Sequence, residues 1–250
     1  MKNTVLKNCI HTLCALAFLL VVYFAVYLAA GNELLVPNVG EVLFETGKML
    51  GNGNFWAALG GTLLRTLIAF AASFLLALIF ALLAYLLPTF GNFFTPIVSS
   101  LRSLPTLAVL LILLVWWGAG FAPIAVAFLS LFPMLYAGIL AALSGVDKKL
   151  IEMSAVYGVP LNKRIFELYL PAVSPYVLRE AGAAISFALK LVVSAEVLAY
   201  TFPSIGNLMQ EARLYAIPQL FALVGVTFLI GLALEGLAAL AAWAVERRTK

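Results

Sequence analysis

Acidic and basic side chains together make up only 10% of the 250 residues, where a soluble domain carries about 25%. Too few polar groups remain to cover a water-exposed surface, which excludes an ordinary soluble enzyme, a nucleic-acid-binding module and a disordered chain. Cysteine is nearly absent too. Its two copies, Cys9 and Cys14, cannot build a disulfide framework, and five positions apart they fall on different faces of a helix. The single histidine, His11, stands between them, but with no second cluster of ligands a metal site is not expected. What the chain has in abundance is apolar side chain, 64% of all residues. Only lipid solvates that much, so the composition predicts a polytopic membrane protein.

Six apolar stretches stand out, at residues 10–30, 59–87, 93–117, 121–143, 173–200 and 217–245. Each reaches the ~20 residues that cross ~30 Å of hydrocarbon as a helix. Their continuous Leu- and Ala-rich composition argues against the alternating pattern of membrane strands. The expectation is an all-α protein with six transmembrane helices in a single transmembrane domain over residues 1–250. The first stretch is longer than the h-region of a signal peptide, which predicts an uncleaved span.

The few charges set the orientation. With the N-terminus inside, Lys2, Lys7, Lys148, Lys149, Lys163, Arg164, Arg247, Arg248 and Lys250 lie on the inner side, and only Lys48 and Arg213 on the outer. This asymmetry predicts cytoplasmic termini. It also accounts for most of the net charge of +4 without any nucleic-acid partner. The long outer loop before the second stretch is acidic, with Glu33, Glu41 and Glu45. Within it Gly47-Lys48 has the end of a phosphate loop, but Val42 replaces the first glycine and Met49 the Ser/Thr. The chain is therefore expected to have no ATPase site of its own.

The longest cytoplasmic segment, residues 144–171, reads as structured. Asp147 is a fair N-cap for a short helix over 148–157, and Gly158 can take the positive φ that ends it. Pro160 suits the first turn of a second helix, expected over 161–170 and stopping against Pro171. Leu150, Ile151, Met153 and Tyr157 beside Glu152 and the lysines suit a helix docked on a protein surface.

Within this segment Glu152-Met153-Ser154, three residues, Gly158, nine residues and Leu168-Tyr169-Leu170-Pro171 resembles the EAA motif of ABC-importer permeases, E-A-A-x3-G-x9-I-x-L-P. Met153, Ser154 and Leu168 depart from it; Glu152, Gly158, Leu170 and Pro171 keep type and spacing. The resemblance runs from about Leu35 to Arg248 and is closest to the nitrate, sulfonate and taurine permeases. It is carried by Leu35-Val36-Pro37, Thr62-Leu63-Leu64-Arg65, Leu101-Arg102-Ser103-Leu104-Pro105, Trp116-Trp117-Gly118-Ala119-Gly120, Ala195-Glu196-Val197-Leu198 and Ser204-Ile205-Gly206-Asn207-Leu208. The inner loop at 88–92 lacks the basic cluster of many relatives, which bears on the solute subgroup and not on the fold.

Such a resemblance implies a type I importer half in a bacterial plasma membrane, working as a homodimer. It implies an external solute-binding protein and two cytoplasmic ATPase subunits that bind ATP and Mg²⁺; this chain would bind no cofactor. Glu152, Met153, Ser154, Tyr157 and Gly158, with Leu170 and Pro171, would couple the spans to the ATPase. The implied solute is small and polar or anionic, nitrate-, sulfonate- or taurine-like or a thiamine-precursor-like pyrimidine.

Ionisable residues inside spans are expected to be functional, because burial in lipid is costly. Lys190 shares a stripe with Ser186 and Ser194 that could face a pathway; snorkelling or pairing with a carboxylate is the competing reading. Glu196, near the outer end, is read as a gate contact or a capped, hydrated position. Arg102 and Ser103, placed at the cytoplasmic start of the third span, are read as an inner gate or an interfacial anchor. Trp116, Trp117 and Trp243 suit aromatic belts, and Gly182-Ala183-Ala184-Ile185-Ser186 would permit close helix approach, with the dimer seam one place for it. An alternative function, a stand-alone secondary carrier or channel, would use Lys190 and Glu196 as ion or proton sites.

Overall fold

A computed structural model of the chain describes residues 17–18, 20–32 and 35–248. Lys2, Lys7, Cys9, His11, Cys14, Glu33 and Lys250 lie outside the described residues, as do the side chains of Lys148, Arg179, Trp243, Arg247 and Arg248. Helices dominate: α1 (Leu20–Ala30), α2 (Val39–Leu50), α3 (Gly53–Leu86), α4 (Pro88–Leu101), α5 (Thr106–Ser144), α6 (Lys148–Val156), α7 (Leu161–Lys163), a π-helical turn (Arg164–Tyr169), α8 (Leu170–Ala199), α9 (Ile205–Tyr215) and α10 (Ile217–Arg248). Among the described residues, four helical segments are long and apolar enough to cross a membrane: Gly53–Leu86, Thr106–Ser144, Glu180–Ala199 and Ile217–Ala242.

Small residues hold these helices together. Along α3, Ala58, Thr62, Thr66, Ala69, Ser73, Ala77, Ala81 and Ala84 recur every three or four positions, and all are buried. A seam of such residues lets neighbouring backbones approach, which drives helix association where lipid removes the hydrophobic incentive. Its hydroxyls stay satisfied by bonding back one turn: Thr66 donates to the Thr62 carbonyl (2.8 Å) and Ser73 to that of Ala69 (2.7 Å). Towards the other end of α3 the packing turns aromatic. Phe80 stacks on Phe94 with centroids 4.8 Å apart and meets Phe132 edge-on.

The structure departs from expectation at the third and fourth apolar stretches. A straight α5 of 39 residues would span about 58 Å, nearly twice the hydrocarbon core. Its backbone leaves helical geometry at Gly118 (φ 71°, ψ 177°), a region open to glycine alone. The two halves then run back along each other. Leu110 and Leu113 share a buried cluster with Ala122, Ala125 and Val126, and the Arg102 guanidinium reaches the Pro133 carbonyl at 2.9 Å. Residues 102 and 133 would lie some 45 Å apart on a straight helix. The expected turn between the two stretches is therefore real, and Gly118 makes it.

The third stretch is not one helix, however. Residues 102–105 break it into α4 and the first half of α5, because Pro105 disfavours a helical residue before it and has no N–H to continue the ladder. The second correction lies at Pro171. Instead of stopping a helix, it occupies the first turn of α8, where a missing N–H is tolerated. The π-helical turn at Arg164–Tyr169 widens the register ahead of it and joins α7 to α8 without a gap. Gly182 and Ser186 of the small-residue stripe face α10 of the same chain. A Cβ on Gly182 would lie 3.0 Å from that of Ala238, and Ser186 donates to the Gly231 carbonyl at 2.7 Å.

Candidate functional site

The segment over residues 144–171 is built from its caps. Asp147 Oδ1 accepts the Lys149 N–H at 2.9 Å and starts α6. At the other end the Gly158 N–H bonds the Ala155 carbonyl and the Val159 N–H the Ser154 carbonyl, each at 3.0 Å. With Gly158 at φ +64°, this is a Schellman ending. Arg164 Nε then donates to the Val159 carbonyl (2.7 Å) and fixes the chain leaving the bend.

One side of α6 is anchored: Ile151 and, beyond the bend, Ile165 pack on the main core, where Tyr169 is buried. The other side is bare. Leu150, Met153, Val156 and Tyr157 are exposed, the last two by 85% and 77%, and Glu152 is exposed beside them. A cleft of about 350 Å³ runs between α6 and the π-helical turn, lined by Met153, Ser154, Tyr157, Arg164 and Glu167. Of the expected coupling residues, Met153, Ser154 and Tyr157 line this cleft, Glu152 is exposed on α6 beside them, and Gly158 ends the helix. Leu170 and Pro171 sit at the start of α8.

At the opposite end, α8 closes with Tyr200 in the left-handed region (φ 51°) and the chain turns into α9. Here Glu196 is fully buried. Oε1 accepts Arg65 Nη1 at 2.9 Å; Oε2 accepts the Thr62 hydroxyl at 2.8 Å and the Gly206 N–H at 3.4 Å. Arg65 also donates to the Pro203 carbonyl (3.0 Å), and Thr62 Oγ1 accepts the Ile205 N–H (2.9 Å). One carboxylate therefore binds α3, α8 and the N-terminus of α9, where an anion is favoured by the orphan N–H groups and the helix dipole. Gly206 is required by the fit, since a Cβ there would come within 2.4 Å of the Glu196 Cβ. Glu196 is thus buried from solvent, with its carboxylate paired to Arg65.

Arg65 did not stand out as a site residue in the sequence. The available signal was a cation inside a span, which needs a carboxylate at the same depth.

Arg102 and Ser103 lie in the break between α4 and α5, shortly before the helix that begins at Thr106. Pro133, the partner of Arg102, is 11 residues from the inner end of α5, about 16 Å by helix rise. Ser99, Arg102 and Tyr136 line a cavity of about 240 Å³. Ser186, Lys190 and Ser194 line a different one, of about 290 Å³, between α8 and α10. The structure thus keeps the stripe of three together and separates it from Glu196 and from Arg102.

A family model for the binding-protein-dependent transport system inner membrane component matches residues 73–247, most of the described chain and all of the segments just considered except Thr62 and Arg65. The chain belongs to this family. It is the permease subunit of a type I ABC importer and a multi-pass inner-membrane protein. This permease is similar to the taurine transport system permease protein TauC of Escherichia coli K12, with 27% identity over 234 residues, 90% of this chain and 85% of that one. It also resembles the putative aliphatic sulfonates transport permease protein SsuC of Bacillus subtilis 168, with 23% identity over 74% of this chain and 67% of that protein. Among solved structures, an amino acid ABC transporter crystallised with histidines has the same fold. The TM-score is 0.64 at 17% identity, over 76% of this chain and 93% of that one.

Proposed function

We propose that the permease imports a sulfonate- or taurine-like solute as a homodimer driven by two ATPase subunits, each holding ATP and Mg²⁺. Solute arrives from the external binding protein and passes between the spans, with Ser186, Lys190 and Ser194, and at another level Arg102 and Ser103, facing the pathway. ATP closes the ATPase pair, the paired coupling segments move with it, and the spans rock between outward- and inward-open states. Glu196 and Arg65 act at the outer junction by making α9 move with α8.

The observation that carries this reading is the bare face of α6. Four large apolar side chains stand exposed beside Glu152 on a helix whose ending is locked by Gly158 and Arg164. Such a knob suits a groove on a soluble partner. The solute class rests on the similarity to TauC and SsuC. The test is affinity purification of the chain co-expressed with its partner ATPase subunit. Wild type retains the ATPase, whereas Glu152→Lys and Gly158→Asp lose it while eluting as monodisperse membrane proteins. Retention by both variants would refute the coupling assignment.

A further inference from the structure

The cavity between α8 and α10 holds an arrangement that a coupling role does not explain. Lys190 projects into it from α8 and Glu235 from α10, against walls otherwise made largely of Leu, Val and Phe side chains, with Met209 of α9 at one end. Both are exposed within the protomer. The ion pairs among the described residues are Lys48–Glu45 and Arg65–Glu196, so Lys190 and Glu235 are not bonded to each other. Hydroxyls line the same space. That of Ser186 is committed to the Gly231 carbonyl and that of Thr227 to the Leu223 carbonyl.

Two opposite charges kept apart in an apolar cavity within spanning helices are each costly, and each calls for a counter-charge from outside. The register fixes how far apart they sit. Ser186 meets Gly231, and Gly182 meets Ala238 and the Glu235 carbonyl, so the helices are antiparallel, with Lys190 level with Thr227 and Glu235 level with Gly182. The axial offset is eight residues of α10, about 12 Å. Side chains lean towards the N-terminus of their own helix. On antiparallel helices that tilts Lys190 and Glu235 towards one another across a shared cavity of about 290 Å³.

We propose that this cavity binds the transported solute as a small zwitterion, its acid group on Lys190 and its ammonium group on Glu235. The assignment rests on the importer reading and adds to it that Glu235 is the ammonium-binding residue. A plain anion would satisfy Lys190 and be repelled by Glu235; a zwitterion satisfies both and carries no net charge across the apolar walls.

The test uses the permease–ATPase complex in nanodiscs with three probes: taurine, β-alanine, and ethanesulfonate, which keeps the sulfonate and lacks the ammonium. Taurine or β-alanine is expected to bind at least about tenfold more tightly than ethanesulfonate. Glu235→Gln should cost that zwitterion about tenfold or more and leave ethanesulfonate unchanged or improved, whereas Lys190→Gln should weaken both. Binding of neither zwitterion, equal binding of zwitterion and ethanesulfonate, or insensitivity of the zwitterion to Glu235→Gln would overturn the assignment. A second readout guards against variants that misfold. With Cys9 and Cys14 replaced by serine and Ser194→Cys introduced, the bound zwitterion should slow thiol modification and ethanesulfonate should not; equal rates with and without zwitterion contradict the proposal. ATP-driven uptake by the same complex, moved to proteoliposomes and supplied with the binding protein, separates the two readings. A complex that transports yet fails these tests refutes the cavity assignment alone, and one with no ATP-driven uptake refutes the importer reading.

Discussion

Arg65 Nη1 lies 2.9 Å from Glu196 Oε1, across 131 residues of sequence, and the carboxylate it meets has no exposure at all. The pair ties α3 to α8, and through Gly206 and Pro203 it ties both to α9. Removing one member strands the other. For a buried pair that costs about 3–5 kcal/mol, whereas replacing both by apolar residues of similar size is close to neutral. Glu196→Ala and Arg65→Ala should each lower the thermal unfolding midpoint in detergent, and Arg65→Met/Glu196→Leu should recover much of the loss. Additive losses in the double variant would mean that the two residues act separately.

Gly206 sits where that junction is tightest. An added methyl would come within 2.6 Å of the Val197 backbone nitrogen as well as the Glu196 Cβ, and backbone cannot swing aside as a side chain does. Gly206→Ala is expected to push α9 off α8, to lower the unfolding midpoint and to raise protease cleavage between Tyr200 and Ser204. Wild-type resistance to protease would contradict the contact.

At Gly118 the constraint is conformational. A Cβ there would meet nothing within 4 Å, but φ 71° with ψ 177° costs any L-residue about 1–3 kcal/mol. Gly118→Ala should destabilise the α5 hairpin by that amount and Gly118→Val by more. Cysteines at 110 and 125 report the outcome through cross-linking yield, which should fall in the same order.

Gly158 separates space from conformation in the same way. Its Cβ position is empty while φ is +64°, so asparagine, which tolerates the left-handed region, should serve better than alanine and alanine better than valine. The measurement is ATPase retention on purification. A ranking by side-chain volume alone, with alanine ahead of asparagine, would show that the partner groove sets the requirement and not the helix ending.

Features fixed by neighbouring residues were legible in the sequence. Asp147 and Gly158 bound α6 within one residue of expectation because capping is local chemistry, and the turn between the third and fourth stretches follows from glycine at 118. Non-local features were not. Nothing near Arg65 points to Glu196, and the depth of Arg102 depends on a hairpin that places it against Pro133. Pro171 misled for a different reason: a proline ends a helix only where its missing N–H cannot be absorbed, and a π-helical turn absorbs it here. The lysine stripe at 186, 190 and 194 was visible as a helical period, but the carboxylate sharing its cavity, Glu235, stands 45 positions beyond Lys190 on another helix.

ATP dependence of uptake is the most direct measurement. Proteoliposomes holding the permease with its ATPase, supplied with binding protein and radiolabelled taurine, should accumulate solute only when ATP is present, and Gly158→Asp should abolish accumulation. Uptake by the permease alone, driven by an ion or solute gradient without ATP or ATPase, would contradict a coupled importer and favour a stand-alone carrier.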